Sequence, residues 1–171
     1  KTTVACRFKL NESVVSFDFP NGYNQKEELV IDPIMVFASF SGSTADNFGM
    51  TATYDNQGNL ISGGMVYNSG YPTTVGAYDA SSNPNGTSYG ITDVFITKYD
   101  QTGQNLIYST YLGGGDNSSG TETVHSLVVN DNDELFLFGT TSSSDFPMSG
   151  NAYDDVFEGG SSAQFYFNGV Y

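Results

Sequence analysis

The chain has 171 residues, the length of one domain or of one domain with an additional fragment. It carries 19 Asp and Glu against 5 Lys and Arg, a formal net charge of −14. Because nucleic-acid and anionic-membrane binding both start from a basic patch, this charge argues against both kinds of partner. The acidity fits solubility, with divalent-cation binding as the alternative. Many glycines (20), Phe (13) and Tyr (12) favour short strands and tight turns over helices.

Residues 1–33 are predicted to be the end of a preceding β domain or a set of lead-in strands. Two strands are predicted at residues 4–10 and 14–19, on either side of a turn-like triplet at residues 11–13. The first contains an apolar run, and in the second apolar and polar residues alternate over residues 16–19, as in a half-buried strand. A third, short strand is predicted at residues 29–31. It ends before Pro33, because proline has no N–H to donate to a strand ladder.

After this point the chain repeats itself. The sequence YPTTVGAYD at residues 71–79 returns as FPMSGNAYD at residues 146–154, an offset of 75 residues (146 − 71). Upstream, residues 37–42 match residues 108–113 at an offset of 71 (108 − 37). The chain therefore contains an internal repeat of about 70–75 residues, and such a period indicates a repeat architecture.

Each repeat is predicted to be a four-stranded antiparallel sheet, the unit of a β-propeller blade. The strands predicted for the first copy are residues 49–54, 60–66, 94–99 and 106–112. Those predicted for the second copy are residues 126–129, 135–140 and 165–171. Residues 35–40 are predicted to form a further strand, which resembles the fourth strand of a blade. The expected fold is thus an all-β, incomplete propeller over residues 34–171, with about two blades at 34–105 and 106–171.

Several motifs in this region resemble one known repeat. Residues 108–114 read YSTYLGG, which is similar to the hallmark of the SBBP (seven-bladed β-propeller) repeat family. Residues 55–64 and 133–147 resemble the companion pattern of this family, DxxGNxYVTGxTxSxDFP. Residues 77–78 and 152–153 resemble the "GAY" that follows it, and residues 93–99 resemble "DAFVAKLN". The resemblance extends over residues 34–171.

The resemblance implies a large secreted or cell-surface protein. In Bacteroidota such repeats often accompany a type IX secretion sorting domain and gliding-associated domains, and residues 28–33 (ELVIDP) resemble the segment that precedes the propeller there. The family has no established catalytic residues, so none is carried over to this chain.

Three residues carry candidate chemistry, and each is predicted to be structural. Ser88 lies in a G-x-S-x-G pattern, but a nucleophile elbow needs a strand before it and a helix after it, whereas Ser88 lies in a Gly- and Asn-rich loop. His125, the only histidine, is predicted to cap a strand or anchor a loop. Cys6 lies in an apolar run and is predicted to be buried. One His and one Cys do not make a zinc site of nitrogen and sulfur ligands.

Oxygen-rich loops raise the alternative of calcium binding. Residues 130–134 resemble the opening of a calcium loop but lack the glycine at its sixth position and the distal Glu, and they align with the hairpin turn of the first copy. A turn is therefore predicted there, and no cofactor is predicted for the chain. The other loop residues whose oxygens could ligate calcium are Asp116, Asn117, Asp154, Asp155 and Glu158.

The long loops also contain tyrosines that could recognise sugars. Tyr67, Tyr71 and Tyr89 are predicted to be exposed, where their rings could stack on carbohydrate, although the same residues also suit turns and packing.

The function predicted from the sequence is a non-catalytic structural or adhesive propeller module of a secreted surface protein. The alternatives are a propeller-fold hydrolase or lyase acting on glycans, which would have to use groups such as His125 or Asp93, and a carbohydrate-binding module. Two blades leave apolar faces uncovered, so the expected partners are the remaining blades of a longer polypeptide. Secretion-system proteins, outer-membrane proteins and glycans are further candidates.

Overall fold

The structure is a computed structural model that describes residues 2–12, 14–30, 35–82, 91–115 and 120–159. In these residues the chain forms eight β-strands and no helix, which confirms the predicted all-β class. With no helix in this part of the chain, none there could span a membrane. The chain divides into two compact units, Lys1–Met35 and Val36–Tyr171.

The first unit is a single antiparallel hairpin of β1 (Arg7–Asn11) and β2 (Val14–Asp18). Phe8 and Phe17 lie opposite each other on one face, with ring centroids 5.2 Å apart. Arg7 and Asp18 form an ion pair of 2.8 Å at its open end. Both predicted strands are confirmed, and each is displaced by at most a few residues from the predicted range.

Three predictions in the lead-in region are wrong. Cys6 is exposed, because no second layer covers the hairpin within the described part of its unit. Leu29 and Val30 form no strand, and neither do residues 35–40. A strand needs a neighbour that supplies ladder hydrogen bonds, and no strand among the described residues pairs with these segments.

The second unit contains one four-stranded sheet and one hairpin, both antiparallel. The strands of the sheet, in chain order and in spatial order, are β3 (Asn47–Tyr54), β4 (Leu60–Val66), β5 (Asp93–Tyr99) and β6 (Leu106–Leu112). The strands of the hairpin are β7 (Glu122–Val129) and β8 (Leu135–Thr141). All six are at predicted positions. The strand predicted at residues 165–171 lies outside the described residues.

The hairpin repeats the first half of the sheet residue by residue. β7 and β8 have the same bounds as β3 and β4 at an offset of 75 residues (122 − 47 and 135 − 60). A bulge interrupts both pairs at the same place, with Met50 in the first copy and His125 in the second. Because bulge and register both recur, the internal repeat is structural as well as sequential.

The β3–β4, β5–β6 and β7–β8 turns share one hydrogen-bonding pattern, in which a side-chain oxygen accepts two backbone N–H groups of its own turn. Asp55 Oδ1 accepts the backbone N–H groups two and four residues later, at 2.9 and 2.8 Å. Asn130 Oδ1 accepts the equivalent groups at 3.0 and 2.9 Å, and Asp100 Oδ1 does so at 3.1 and 3.0 Å. These side chains satisfy donors that the tight turn would otherwise leave unpaired.

Asp55 is the buried member of this set. Its carboxylate is 2% exposed and lies 2.6 Å from the Nζ of Lys98, on β5. Burial by itself would raise the pKa of Asp55. The hydrogen bonds from Lys98 and Asn59, and those from the backbone of Asn59 and Gln57, outweigh burial and hold this pKa well below its usual range. The charged form is therefore strongly favoured in the folded chain.

We predict that Asp55→Ala lowers the free energy of unfolding by about 1–3 kcal/mol, because it leaves buried backbone donors and Lys98 without their acceptor. Asp55→Asn should cost less, since an amide oxygen can still accept the two N–H groups, as Asn130 does. Urea unfolding of both variants measures this, with Asn130→Ala as the control that lacks the ion pair. A loss in Asn130→Ala as large as in Asp55→Ala would contradict it.

The stability of the fold is predicted to fall in acid. A pKa lower in the folded than in the unfolded chain stabilises the fold above the unfolded value of about 3.9, and this contribution is lost as the pH falls below it. Hydrogen bonds, above all that from Asn105, likewise lower the pKa of Asp100 to about 2. Melting temperatures at pH 7 and pH 3 should differ less in Asp55→Asn than in the unsubstituted chain. An equal difference in both proteins would contradict the assignment.

Candidate functional site

One of the two apolar clusters of the second unit lies between the two copies of the repeat. We call the sheet surface that faces the hairpin the outer face of the first repeat, and it is represented by Ile61, Gly63 and Val94. The opposing surface, the inner face of the hairpin, presents Val124 and Leu127. The side chains of Ile61, Val94, Val124 and Leu127 are at most 6% exposed, so this contact is a packed core.

Gly63 lets the hairpin approach the sheet closely. A Cβ placed on Gly63 would lie 3.0 Å from Leu127 Cδ1 and 3.4 Å from Val124 Cγ1. Any side chain at this position would push both residues away. The interface thus combines a small residue on the outer face with two large residues on the inner face.

Hydrogen bonds between turns fix the same stacking at one end. The backbone N–H of Asn56 donates to Asp133 Oδ1 at 2.8 Å, and the Asn56 amide donates to the carbonyl of Asp131 at 3.0 Å. Gln101, in the β5–β6 turn, donates its side-chain amide to the carbonyl of Gln57. The three turns therefore form one hydrogen-bonded row across the two copies.

The opposite surface of the sheet, the inner face of the first repeat, contains a cavity of about 360 Å³. Its lining includes two small residues of the sheet, Gly49 and Ser62, and part of residues 37–41. The remaining lining residues are Asn47, Leu60, Tyr71, Phe95 and Tyr99. The volume suits a small organic group, and the lining is aromatic with scattered hydroxyl groups.

Tyr71 belongs to the core beside this cavity, so the prediction that it is exposed is wrong. It is 5% exposed, its ring stacks on Phe95 at 4.2 Å, and its hydroxyl lies 3.0 Å from Thr97 Oγ1. Burial raises the pKa of Tyr71 above its usual value. Tyr67 is half-buried with its ring edge-on to Phe48, and Tyr89 lies outside the described residues. The two described tyrosines thus do not form an exposed stacking platform.

The loop that contains Tyr71 covers the β6 edge of the sheet. We call residues 70–79 the edge strap. The carbonyl of Ser109 in β6 accepts the N–H of Thr74 at 3.1 Å, and the N–H of Tyr111 donates to the carbonyl of Asp79 at 3.0 Å. An uncovered edge strand would pair with other chains, and the strap occupies these groups. The sequence YPTTVGAYD is the strap, which explains why it recurs with the strands.

The Tyr111 hydroxyl holds the start of the strap. It accepts the N–H groups of Gly70 and Tyr71 at 3.2 and 2.8 Å and donates to the carbonyl of Tyr71 at 3.3 Å. Sequence reasoning did not identify this role, because the partners lie 40 and 41 residues apart along the chain. Only its place in the YSTYLGG motif marked the residue.

We predict that Tyr111→Phe costs about 1–3 kcal/mol of unfolding free energy, because the buried N–H of Tyr71 and the partly buried N–H of Gly70 lose their acceptor while the ring packing is kept. Tyr108→Phe is the matched control. Its hydroxyl accepts one exposed N–H, that of Tyr78, so its loss should cost less than about 1 kcal/mol. Chemical denaturation measures both variants, and equal costs would refute this role of Tyr111.

Among the described residues, the sequence-predicted chemical groups lie at separate places on the strands. His125 is exposed at the β7 bulge, with its Nε2 3.4 Å from Thr140 Oγ1 and its ring 6.0 Å from that of Phe138. Asp93 is buried at the start of β5. Residues 130–134 form the β7–β8 turn, as predicted. Ser88, Asp116 and Asn117 lie outside the described residues.

One buried carboxylate was not identified from the sequence. Glu122 is 2% exposed, and its Oε1 accepts hydroxyl hydrogen bonds from Thr141 at 2.7 Å and Ser143 at 2.6 Å. The equivalent residue in the first copy is Asn47, which has no carboxylate. The repeat therefore gave no indication of a buried acid at this position. Within the described ranges, no three His, Cys, Asp or Glu residues are grouped so that they could hold a metal ion.

Comparisons with known proteins add one match. The family model described as a domain of unknown function (DUF7948) matches residues 1–34, which correspond to the first unit of the structure. No curated protein and no solved structure matches the chain.

Proposed function

We propose that this chain is a non-catalytic structural or adhesive module of a secreted cell-surface protein, in which β-propeller blades of the SBBP type stack face to face. In this proposal the four-stranded sheet is one blade and the β7–β8 hairpin is the first half of the next. The resemblance to repeats of type IX secreted and gliding-associated proteins supports the cellular setting. Glycans and outer-membrane proteins are candidate ligands of the assembled module.

The observation that carries this proposal is the recurrence of one hairpin, with its bulge and its turn, packed on the preceding copy. The two copies bury apolar residues against each other, as Ile61 does against Val124 and Leu127. Chains built in this way gain their core by stacking repeats, which is the physical basis of solenoids and propellers. The edge strap supports the same interpretation, since it prevents the fourth strand from pairing with other chains.

The described titratable groups support a non-catalytic role. Acid–base catalysis needs groups that converge on one reacting atom. Asp55 and Asp100 are instead occupied within their own turns, and Tyr71 is buried in aromatic packing. The half-buried Tyr67 gives no specific support to the carbohydrate-binding alternative.

We predict no turnover when the chain is incubated with a panel of polysaccharides and ester substrates, and we predict that antibodies against the chain label unpermeabilised cells of the source bacterium. Product analysis and surface fluorescence measure these outcomes. Hydrolysis that disappears in His125→Ala or Asp93→Asn would overturn the non-catalytic assignment. Labelling only after permeabilisation would overturn the surface assignment.

A further inference from the structure

Two surfaces of the second unit have no partner copy within the described residues. One is the outer face of the hairpin, where Val128, Phe136 and Phe138 are 57%, 58% and 68% exposed. The other is the inner face of the first repeat, where Gly49 and Ala52 are exposed beside the cavity. The repeat assigns a role to both surfaces, because each has a counterpart that is buried in the contact between the two copies.

The 75-residue offset predicts which residues of the two unpartnered surfaces would meet if they packed as the two copies do within the chain. In the internal contact, Gly63 on the outer face meets Val124 and Leu127 on the inner face. The residue equivalent to Gly63 is Phe138 (63 + 75), and those equivalent to Val124 and Leu127 are Gly49 and Ala52 (124 − 75 and 127 − 75). The same docking geometry would therefore place Phe138 against Gly49 and Ala52.

The sizes of these residues are inverted. Internally a small outer residue meets two large inner residues, whereas on the unpartnered surfaces a large outer residue is paired with two small inner ones. Because close packing requires similar total volume and complementary shape, each outer face fits its assigned inner face. The cavity of about 360 Å³ has Gly49 in its lining and so lies at this inner face.

We propose that two copies of this chain associate head to tail, with Phe138 and Phe136 of one copy docked on the inner face of the first repeat of the other, at Gly49 and Ala52. The proposal rests on the proposed function of the repeats as stacking modules. It adds which surfaces meet, in which order and by which residues.

The segment at residues 37–41 is compatible with this docking. It lines the cavity through Phe37, Ser39 and Ser41, and Ser41 is equivalent to Leu112 of β6 at the 71-residue offset. Leu112 packs against the cluster that contains Val124 in the internal contact. The segment therefore has the same place at the inner face of the first repeat that β6 has at the inner face of the hairpin. It lies beside the docking surface and leaves Gly49 and Ala52 exposed.

Sedimentation velocity on the 171-residue chain measures its self-association, and exchanging the large and small residues of the two surfaces tests the proposed contact. Each copy has a net charge of −14, so the measurement uses about 0.3 M salt, which screens repulsion between copies. Phe138→Gly installs the residue of the internal outer face and should weaken association by about ten- to a hundredfold. Gly49→Val with Ala52→Leu installs the residues of the internal inner face and should weaken it similarly. Gly49 has no atom within 4 Å of an added Cβ, so the larger side chain is accommodated in the single copy.

Combining all three substitutions reproduces the internal pairing at the intermolecular contact and should restore association. Tyr153→Ser removes an exposed aromatic ring outside both surfaces, and it should leave association unchanged. A monomeric unsubstituted chain, or association that Phe138→Gly leaves intact, would overturn the proposal. Monomers that bind an apolar dye, with binding abolished by Gly49→Val, would overturn it in favour of a small-molecule site.

Failure of this proposal and failure of the proposed function give different results. Hydrogen exchange on the same samples reports whether β7 is protected by the sheet. Protected β7 amides in a monomeric chain would refute head-to-tail docking and leave the stacking of repeats intact. Amides of β7 that exchange as in an isolated hairpin would remove the stacking module itself.

Discussion

The second unit depends on one apolar contact, the packing of the β7–β8 hairpin on the sheet through Ile61, Val124 and Leu127. A two-stranded hairpin cannot bury an apolar face alone, and it becomes stable only when a third strand or a second layer covers that face. The sheet supplies this layer. Gly63 sets the distance between the layers, because its missing side chain makes room for two large residues of the hairpin.

Around this contact, polar groups satisfy the backbone at the turns and along the β6 edge of the sheet. The turns at Asp55, Asp100 and Asn130 satisfy their own backbone donors, and Asn56 connects the turns of the two copies. The edge strap satisfies the outer groups of β6 with help from Tyr111. These features leave the broad faces as the surfaces through which a repeat can meet a neighbour.

Local pattern accounts for the elements that the sequence predicted well. The internal repeat and the Gly-bearing turns at residues 55–58 and 101–104 located the six strands of the second unit. The repeat also predicted that residues 130–134 would form a turn. Such reasoning failed for residues 35–40 and Tyr71. A strand-like pattern forms no strand without a partner, and a loop tyrosine is buried or exposed according to what lies above it.

The sequence by itself determined the all-β class, the positions of the two strands of the first unit and of six strands of the second, and the 75-residue repeat, because these follow from the sequence pattern and turn chemistry along the chain. Only the tertiary structure decided which face of each strand is buried. β3 and β7 are equivalent in the repeat, yet Ala52 is exposed where Leu127 is buried. Burial depends on the neighbour that each copy meets in space, and contacts between residues far apart in the chain leave no local signal.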